Sequence, residues 1–163
     1  MRFVINQNWW SWGDDFFIKN ESGQDIYYVD GKAFSFGDSL VLKDLNGKKL
    51  IEIQQKMLSF GASYLIYQDG ERVAEVSKHL FTMFRHKFSV DLEGTINDLT
   101  AEGDFLDREY IFLRNGEVVG RVSKQFFSFT DTYGVEVEPE NALIVLASAI
   151  VIDLVCHNKK EHN

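Results

Sequence analysis

The sequence predicts an all-β fold with one helix: a closed barrel of about twelve antiparallel strands around a central hydrophobic C-terminal α-helix. Three observations predict it. The stretch 142–156 is apolar on every side, with Asp153 its only charge. Turn dipeptides recur at short intervals through the preceding chain, and one nine-residue hairpin pattern occurs twice. A single domain over residues 1–163 follows, with strands over about 2–138 and the helix over about 139–157.

The strands come from the punctuation. Asp30-Gly31, Asn46-Gly47, Asp69-Gly70, Glu93-Gly94 and Asn115-Gly116 each separate two short apolar runs. Asn-Gly and Asp-Gly are strong hairpin signals because both turn residues must take positive φ. Between turns apolar and polar residues alternate, as in Leu50-Ile51-Glu52-Ile53, and a period of two marks a half-buried strand. Candidate strands fall at 2–6, 15–19, 25–30, 33–37, 39–45, 49–56, 63–68, 72–78, 86–92, 104–107, 109–114 and 118–124, with 133–138 as a thirteenth. Residues 98–107, rich in carboxylates, interrupt this rhythm.

The repeat adds register. Gly70 to Lys78 reads G-E-R-V-A-E-V-S-K, and Gly116 to Lys124, 46 residues later, reads G-E-V-V-G-R-V-S-K. Tyr64 and Tyr110 precede the two turns at the same offset, and Phe81 and Phe127 follow them. Such a unit is a hairpin laid beside its like around a curved sheet. Serial hairpins without a Pro-, Gly- or Ser-rich linker suit a closed sheet, since closure removes exposed edges. A barrel of about twelve strands is too wide for its own side chains to fill.

The helix supplies the filling. Pro139 suits a first turn, Glu138 and Glu140 stand at its start, and His157, Lys159 and Lys160 follow its end. That charge order suits the helix dipole. Apolar residues on all sides call for burial all round. A membrane span is the rival, but the run of about 15 residues covers roughly 22 Å, short of the roughly 20 residues a bilayer needs. Asp153 would cost about 2.5–3.5 kcal/mol near a bilayer centre. A transmembrane span is therefore not expected.

Composition narrows the function classes. The chain has 163 residues, 45% hydrophobic and 14% aromatic, with fourteen Phe against one Pro, enough for one domain with a sizeable core. The formal charge of −8 and pI near 5.0 argue against nucleic-acid binding, which needs a basic face. Cys156 is the only cysteine, so no internal disulfide forms. With no secretory leader at Met1, a cytoplasmic protein is expected.

D-I-Y-Y-V-D-G-K-A-F-S-F-G from Asp25, L-V-L-K-D-L-N-G-K-K-L-I-E-I-Q-Q-K from Leu40, the two G-E-x-V-x-x-V-S-K hairpins and the terminal helix occur in that order. Together they resemble the LURP-one-related family, including its small bacterial members, of the tubby C-terminal-like and phospholipid scramblase superfamily. The resemblance spans nearly the whole chain. It implies a twelve-stranded barrel around a hydrophobic helix, and it offers lipid association, known of tubby proteins and scramblases, as an analogy for function.

The residues themselves carry little catalytic signal. His79, His86, His157 and His162 form no metal-ligand pair, no serine sits in G-x-S-x-G, and no phosphate loop is present. No catalytic residue, metal or cofactor is assigned. Ser77-Lys78 and Ser123-Lys124 read as strand pattern before a serine–lysine dyad. The sharpest basic cluster is Arg85-His86-Lys87, with Lys78 nearby and Lys124 as the repeat partner of Lys78. Lys78, Arg85, His86, Lys87 and Lys124 are the candidate anion- or headgroup-binding residues, weighed against a charged rim. Trp9, Trp10 and Trp12, beside Phe16 and Phe17, read as a plug for one barrel end, with a membrane- or partner-docking patch as the rival. The expected function is a non-catalytic binding or scaffolding module for an unknown protein. The alternatives are a peripheral protein binding anionic phospholipid headgroups weakly, and an enzyme with a carboxylate-lined site between Asp98 and Asp107.

Overall fold

A computed structural model describes residues 1–7, 15–31, 39–56, 61–82, 85–127 and 131–157, and the backbone alone at 80–82 and 85–86. The strands are β1 (Arg2–Asn6), β2 (Phe16–Asn20), β3 (Asp25–Asp30), β4 (Leu40–Asp44), β5 (Lys49–Gln55), β6 (Ser63–Gln68), β7 (Glu71–Thr82), β8 (Arg85–Leu92), β9 (Leu99–Asp104), β10 (Glu109–Arg114), β11 (Glu117–Ser123) and β12 (Thr132–Val137). A 3-10 turn (Pro139–Asn141) leads into α1 (Ala142–His157). Each strand pairs antiparallel with the next, and β1 pairs with β12 to close the barrel.

This topology fixes two ends. Odd-numbered strands run one way and even-numbered strands the other, so the turns after β2, β4, β6, β8 and β10 share what we call the turn end. Starting there, α1 runs through the lumen and finishes at the opposite, exit end. Period-two alternation points one row of each strand at α1, as with Leu40 and Leu42, Ile51 and Ile53, or Phe88 and Val90, all at most 1% exposed. The sixteen-residue helix is buried from Val145 through Val155, and each fully buried Val, Leu or Ile contributes about 1.5–3 kcal/mol. Gly120 lets the wall come close to the helix: a Cβ there would lie 3.0 Å from Val145 Cγ1.

Several turns depart from expectation. Asp69-Gly70 and Asn115-Gly116 do place both residues at positive φ, near 51° and 81–82°. Asn46 does not. Asp44 Oδ1 accepts from the Asn46 and Lys48 amides at 2.9 Å, and Gly47 alone takes φ 83°. This Asx-type turn needs one residue more than a two-residue hairpin, and the β4–β5 register shifts between Leu42 and Lys43, as it also does in the two-residue hairpins β6–β7 and β10–β11. At Glu93-Gly94 only Gly94 takes positive φ, and Asp98 Oδ1 accepts from the Leu92 amide at 2.8 Å.

Of the expected strand at 104–107 only Asp104 is strand, the last residue of β9, and residues 105–108 form a turn. Leu99 and Ala101 are fully buried, with Thr100 and Glu102 on the other face. Gly103, which reads as a strand breaker, is demanded by crowding: a Cβ would sit 2.6 Å from the Glu109 carbonyl oxygen and 2.7 Å from Tyr110 Cα. The expected thirteenth strand is β12, and the one at 33–37 lies outside the described residues. The Trp9, Trp10 and Trp12 cluster lies outside them as well.

Candidate functional site at the exit end

Asp153 enters the lumen as the only charge on α1, with its side chain 2% exposed. A buried carboxylate is tolerated when paired and hydrogen-bonded. Its partner is Arg108, in the turn between β9 and β10, whose Nε donates to Asp153 Oδ1 at 2.6 Å. Arg108 holds φ 56°, a left-handed conformation uncommon for a non-glycine residue, and its side chain is 8% exposed. The rest of the guanidinium is used. Nη2 donates to the Gln7 carbonyl oxygen at 3.0 Å, Nη1 approaches Gln7 Oε1 at 3.5 Å, and the group lies 5.4 Å above the Tyr133 ring centre. Gln7 in turn donates from its backbone amide to Asp131 O and from Nε2 to Thr132 O. One guanidinium thus joins the end of α1 to the ends of β1 and β12.

Aromatic rings close the end above the pair. Phe105, in the same turn as Arg108, folds back into the lumen, with ring centres 4.9 Å from both Phe88 and Tyr110. His157 Nε2 lies 3.1 Å from the Phe105 carbonyl oxygen and 3.9 Å from Asp153 Oδ1. Burial, and then the Arg108 charge, lowers the His157 pKa, with Asp153 and the Phe105 carbonyl opposing. The neutral imidazole therefore donates Nε2–H to that carbonyl. Burial pushes the Cys156 thiol up to about 11, with Lys78 opposing, which keeps it an inert thiol at neutral pH. Tyr110 is raised well above the usual phenol range by burial and then by Asp153.

The five candidate anion-binding residues do not form one cluster. Lys78 continues the lumen-facing row of Ala74 and Val76, and its charge acts on Cys156. Lys124 opens a 3-10 turn after β11, and its charge acts on His157. Both lysines therefore lie toward the exit end, one on β7 and one just after β11, with β8, β9 and β10 between them, where cations suit the negative end of the α1 dipole. Lys87 stands on the opposite face of the wall, across from His79, and pairs with Glu102 at 2.8 Å. The side chains of Arg85 and His86 lie outside the described residues. Lys124 also faces Asp107 at 3.8 Å.

The carboxylates between Asp98 and Asp107 do not converge. Asp98 stands at the turn end and Asp107 at the exit end, separated by the six residues of β9, roughly 20 Å of strand. Asp98 caps Leu92, Asp104 Oδ1 accepts from the Asp107 amide, and Glu102 pairs with Lys87. The Ser77-Lys78 and Ser123-Lys124 dyads also dissolve. Ser77 and Lys78, adjacent on β7, face opposite sides, and Ser77 lies 3.2 Å from Ser63 Oγ. Ser123 Oγ accepts from the Gln125 amide as the cap of its 3-10 turn. Among the described residues, no group of three or more His, Cys, Asp or Glu is placed to hold a metal ion.

Arg108 and Gln7 were not singled out in the sequence. The signal that points to such a partner is Asp153 itself, since a lone carboxylate in a helix buried all round requires a cation. Nothing in the order of residues says which one.

Comparison with known proteins gives the chain its place. The profile of the LURP-one-related family matches residues 1–154. A Bacillus subtilis (strain 168) protein named "Uncharacterized protein YxjI" is 36% identical over 167 residues, covering 100% of this chain and 98% of its own. The X-ray structure of a protein from Arabidopsis thaliana superposes with a TM-score of 0.66 at 15% identity, over 94% of this chain and 90% of that one. At that identity the plant structure speaks for the tubby-like fold alone. With the barrel, its central helix and the sequence match in agreement, the chain belongs to the LURP-one-related family.

Proposed function

We propose that this protein is a non-catalytic binding or scaffolding module that meets its partner with the outside of its barrel. The observation that carries this reading is the filled lumen. Where an open barrel of this size would hold a ligand, α1 occupies the axis and Phe105 folds in above its end. Recognition then falls to the outer walls and the two ends, in a protein taken to be cytoplasmic from its lone cysteine. An enzyme built on the carboxylates between Asp98 and Asp107 draws no support from their separation. A hydrolase panel is expected to give no turnover. Turnover abolished by one carboxylate substitution, such as Asp104→Asn, overturns the reading.

Peripheral binding of anionic phospholipid headgroups is the second reading, favoured by the placing of both Lys78 and Lys124 toward the exit end. Each basic residue near an anionic surface contributes about 1 kcal/mol. Lys87 is engaged by Glu102 and Lys124 faces Asp107, so the attraction from the described residues amounts to about 1 kcal/mol. That is weaker than a millimolar affinity. Co-sedimentation with phosphatidylserine vesicles is expected to be slight at low salt and absent at physiological salt. Tight binding that survives physiological salt makes lipid the ligand.

A further inference from the structure

The two repeats finish their turn-end corners differently. In the first, Val73 of β7 is the extra residue between the pairs Tyr67↔Arg72 and Ile66↔Ala74. The neighbouring strand covers it. Just past the pair Ala74↔Leu92, the Glu93 amide donates to the Val73 carbonyl at 2.9 Å, and the Glu93 carboxylate holds Arg72 Nη2 at 2.7 Å. In the second, Val119 of β11 is the extra residue between Leu113↔Val118 and Phe112↔Gly120. Gly120 pairs with Val137, so Glu138 is the counterpart of Glu93. It precedes Pro139, where the chain leaves β12 for the 3-10 turn, and Val118 replaces Arg72. Among the described residues, the Glu138 amide makes no bond to Val119 and the Glu138 carboxylate no ion pair.

A cleft of about 340 Å³ opens where the first repeat is closed, with Met1, Val118, Val119, Arg121 and Glu138 in its lining. That volume, at the low end of the roughly 300–1,000 Å³ of ligand pockets, suits one long side chain. Glu136, also there, is taken by Arg2 at 2.6 Å. Around this corner the exposed carboxylates of Glu117, Glu138 and Glu140 then stand against the exposed guanidinium of Arg121, a balance that favours a cation. We propose that the cleft takes an arginine side chain of a partner protein, its guanidinium donating to the Glu138 carboxylate and the Val119 carbonyl. Arg72 and the Glu93 amide supply those two donors within the first repeat. Arg108 uses its own fork in the same way, on one carboxylate and one main-chain carbonyl. Lysine, a point charge, fits two acceptors of fixed geometry less well. Met1 and Val118, 58% and 42% exposed, offer apolar surface to the methylene stem. Such a contact presupposes a partner that meets the outside of the barrel, and it fixes the place and the chemistry.

Titration of the nitrogen-15-labelled protein with N-acetyl-arginine N-methylamide, followed by amide NMR shifts, tests the cleft. Shifts are expected at Val119, Gly120 and Glu138, saturating at about 1–10 mM, as suits a single side chain. The citrulline analogue, neutral but of the same shape, is expected to leave these amides unmoved. Free L-arginine carries a carboxylate that the acidic corner repels, and is expected to bind about tenfold more weakly. Glu138→Gln, at an exposed position, is expected to raise Kd about tenfold. Val118→Arg returns the cation of the first repeat and is expected to abolish the shifts by filling the cleft from within. No saturable shift at these amides, equal shifts with citrulline, or a titration that Val118→Arg leaves unchanged overturns the proposal. Tighter binding of free L-arginine also overturns it, making the cleft a small-molecule site. If arginine fails while the hydrolase panel stays silent, the binding-module reading stands and this cleft alone falls.

Discussion

Asp153 and Arg108 lie 45 residues apart in sequence and 2.6 Å apart in space, and the energetics of the pair rest on both being buried. Removing one partner leaves the other charge unsolvated. Asp153→Asn is expected to destabilise the fold by about 3–5 kcal/mol, read as a lowered denaturation midpoint in urea. A loss no larger than a surface substitution produces means the pair is solvated. A second prediction belongs to the outer wall. The Lys49 ammonium, helped by Gln54 and Ser39, holds the Glu52 carboxyl down at about 2, with Lys49 Nζ at 2.6 Å and Gln54 Nε2 at 2.9 Å. A carboxyl depressed in the folded state contributes stability above its unfolded pKa, about 4.3, and loses it as pH falls through the folded value. Glu52→Gln is therefore expected to lower Tm at pH 7, with the difference from wild type shrinking between about pH 4 and pH 2. A gap that stays constant across that range excludes the linkage.

At the level of elements, α1 was legible because its apolar residues cover every side, a pattern only an enclosed helix tolerates. Ile150, fully buried, tests that enclosure. Ile150→Asp places an unpaired charge against the wall, a cost of several kcal/mol, and is expected to abolish the cooperative melt seen by circular dichroism. A native melt places this face of the helix in water. The strands were legible wherever a turn carried Asp-Gly or Asn-Gly and the flanks alternated. β9 was not, because Leu-Thr-Ala-Glu-Gly-Asp carries only one large inward residue and a glycine, and that glycine is required by the close approach of Tyr110 on the neighbouring strand. The repeat was legible as two similar hairpins. What the hairpins share beyond shape, a lysine toward the exit end, emerged only with the strand directions of the closed barrel.

Across the whole molecule, the candidate anion site shows where sequence reading stops. Strand alternation alone separates Lys78 from Lys87, since Ala74 and Val76 mark one face of β7 and Phe88 marks the same face of β8. The pairing of Asp153 with Arg108 depends on how a wall of twelve strands wraps one helix, and no local pattern encodes that. The same arrangement bears on synthesis. All twelve strands precede α1 in the chain, so a ribosome finishes the wall before it makes what the wall encloses. At about 5–20 residues per second, the sixteen residues of α1 follow the last strand by roughly one to three seconds. Through that interval the inward rows of the strands have no partner, and the nascent chain carries its greatest risk of self-association. The last element of the barrel to be translated is the one that covers the inward rows of all the others.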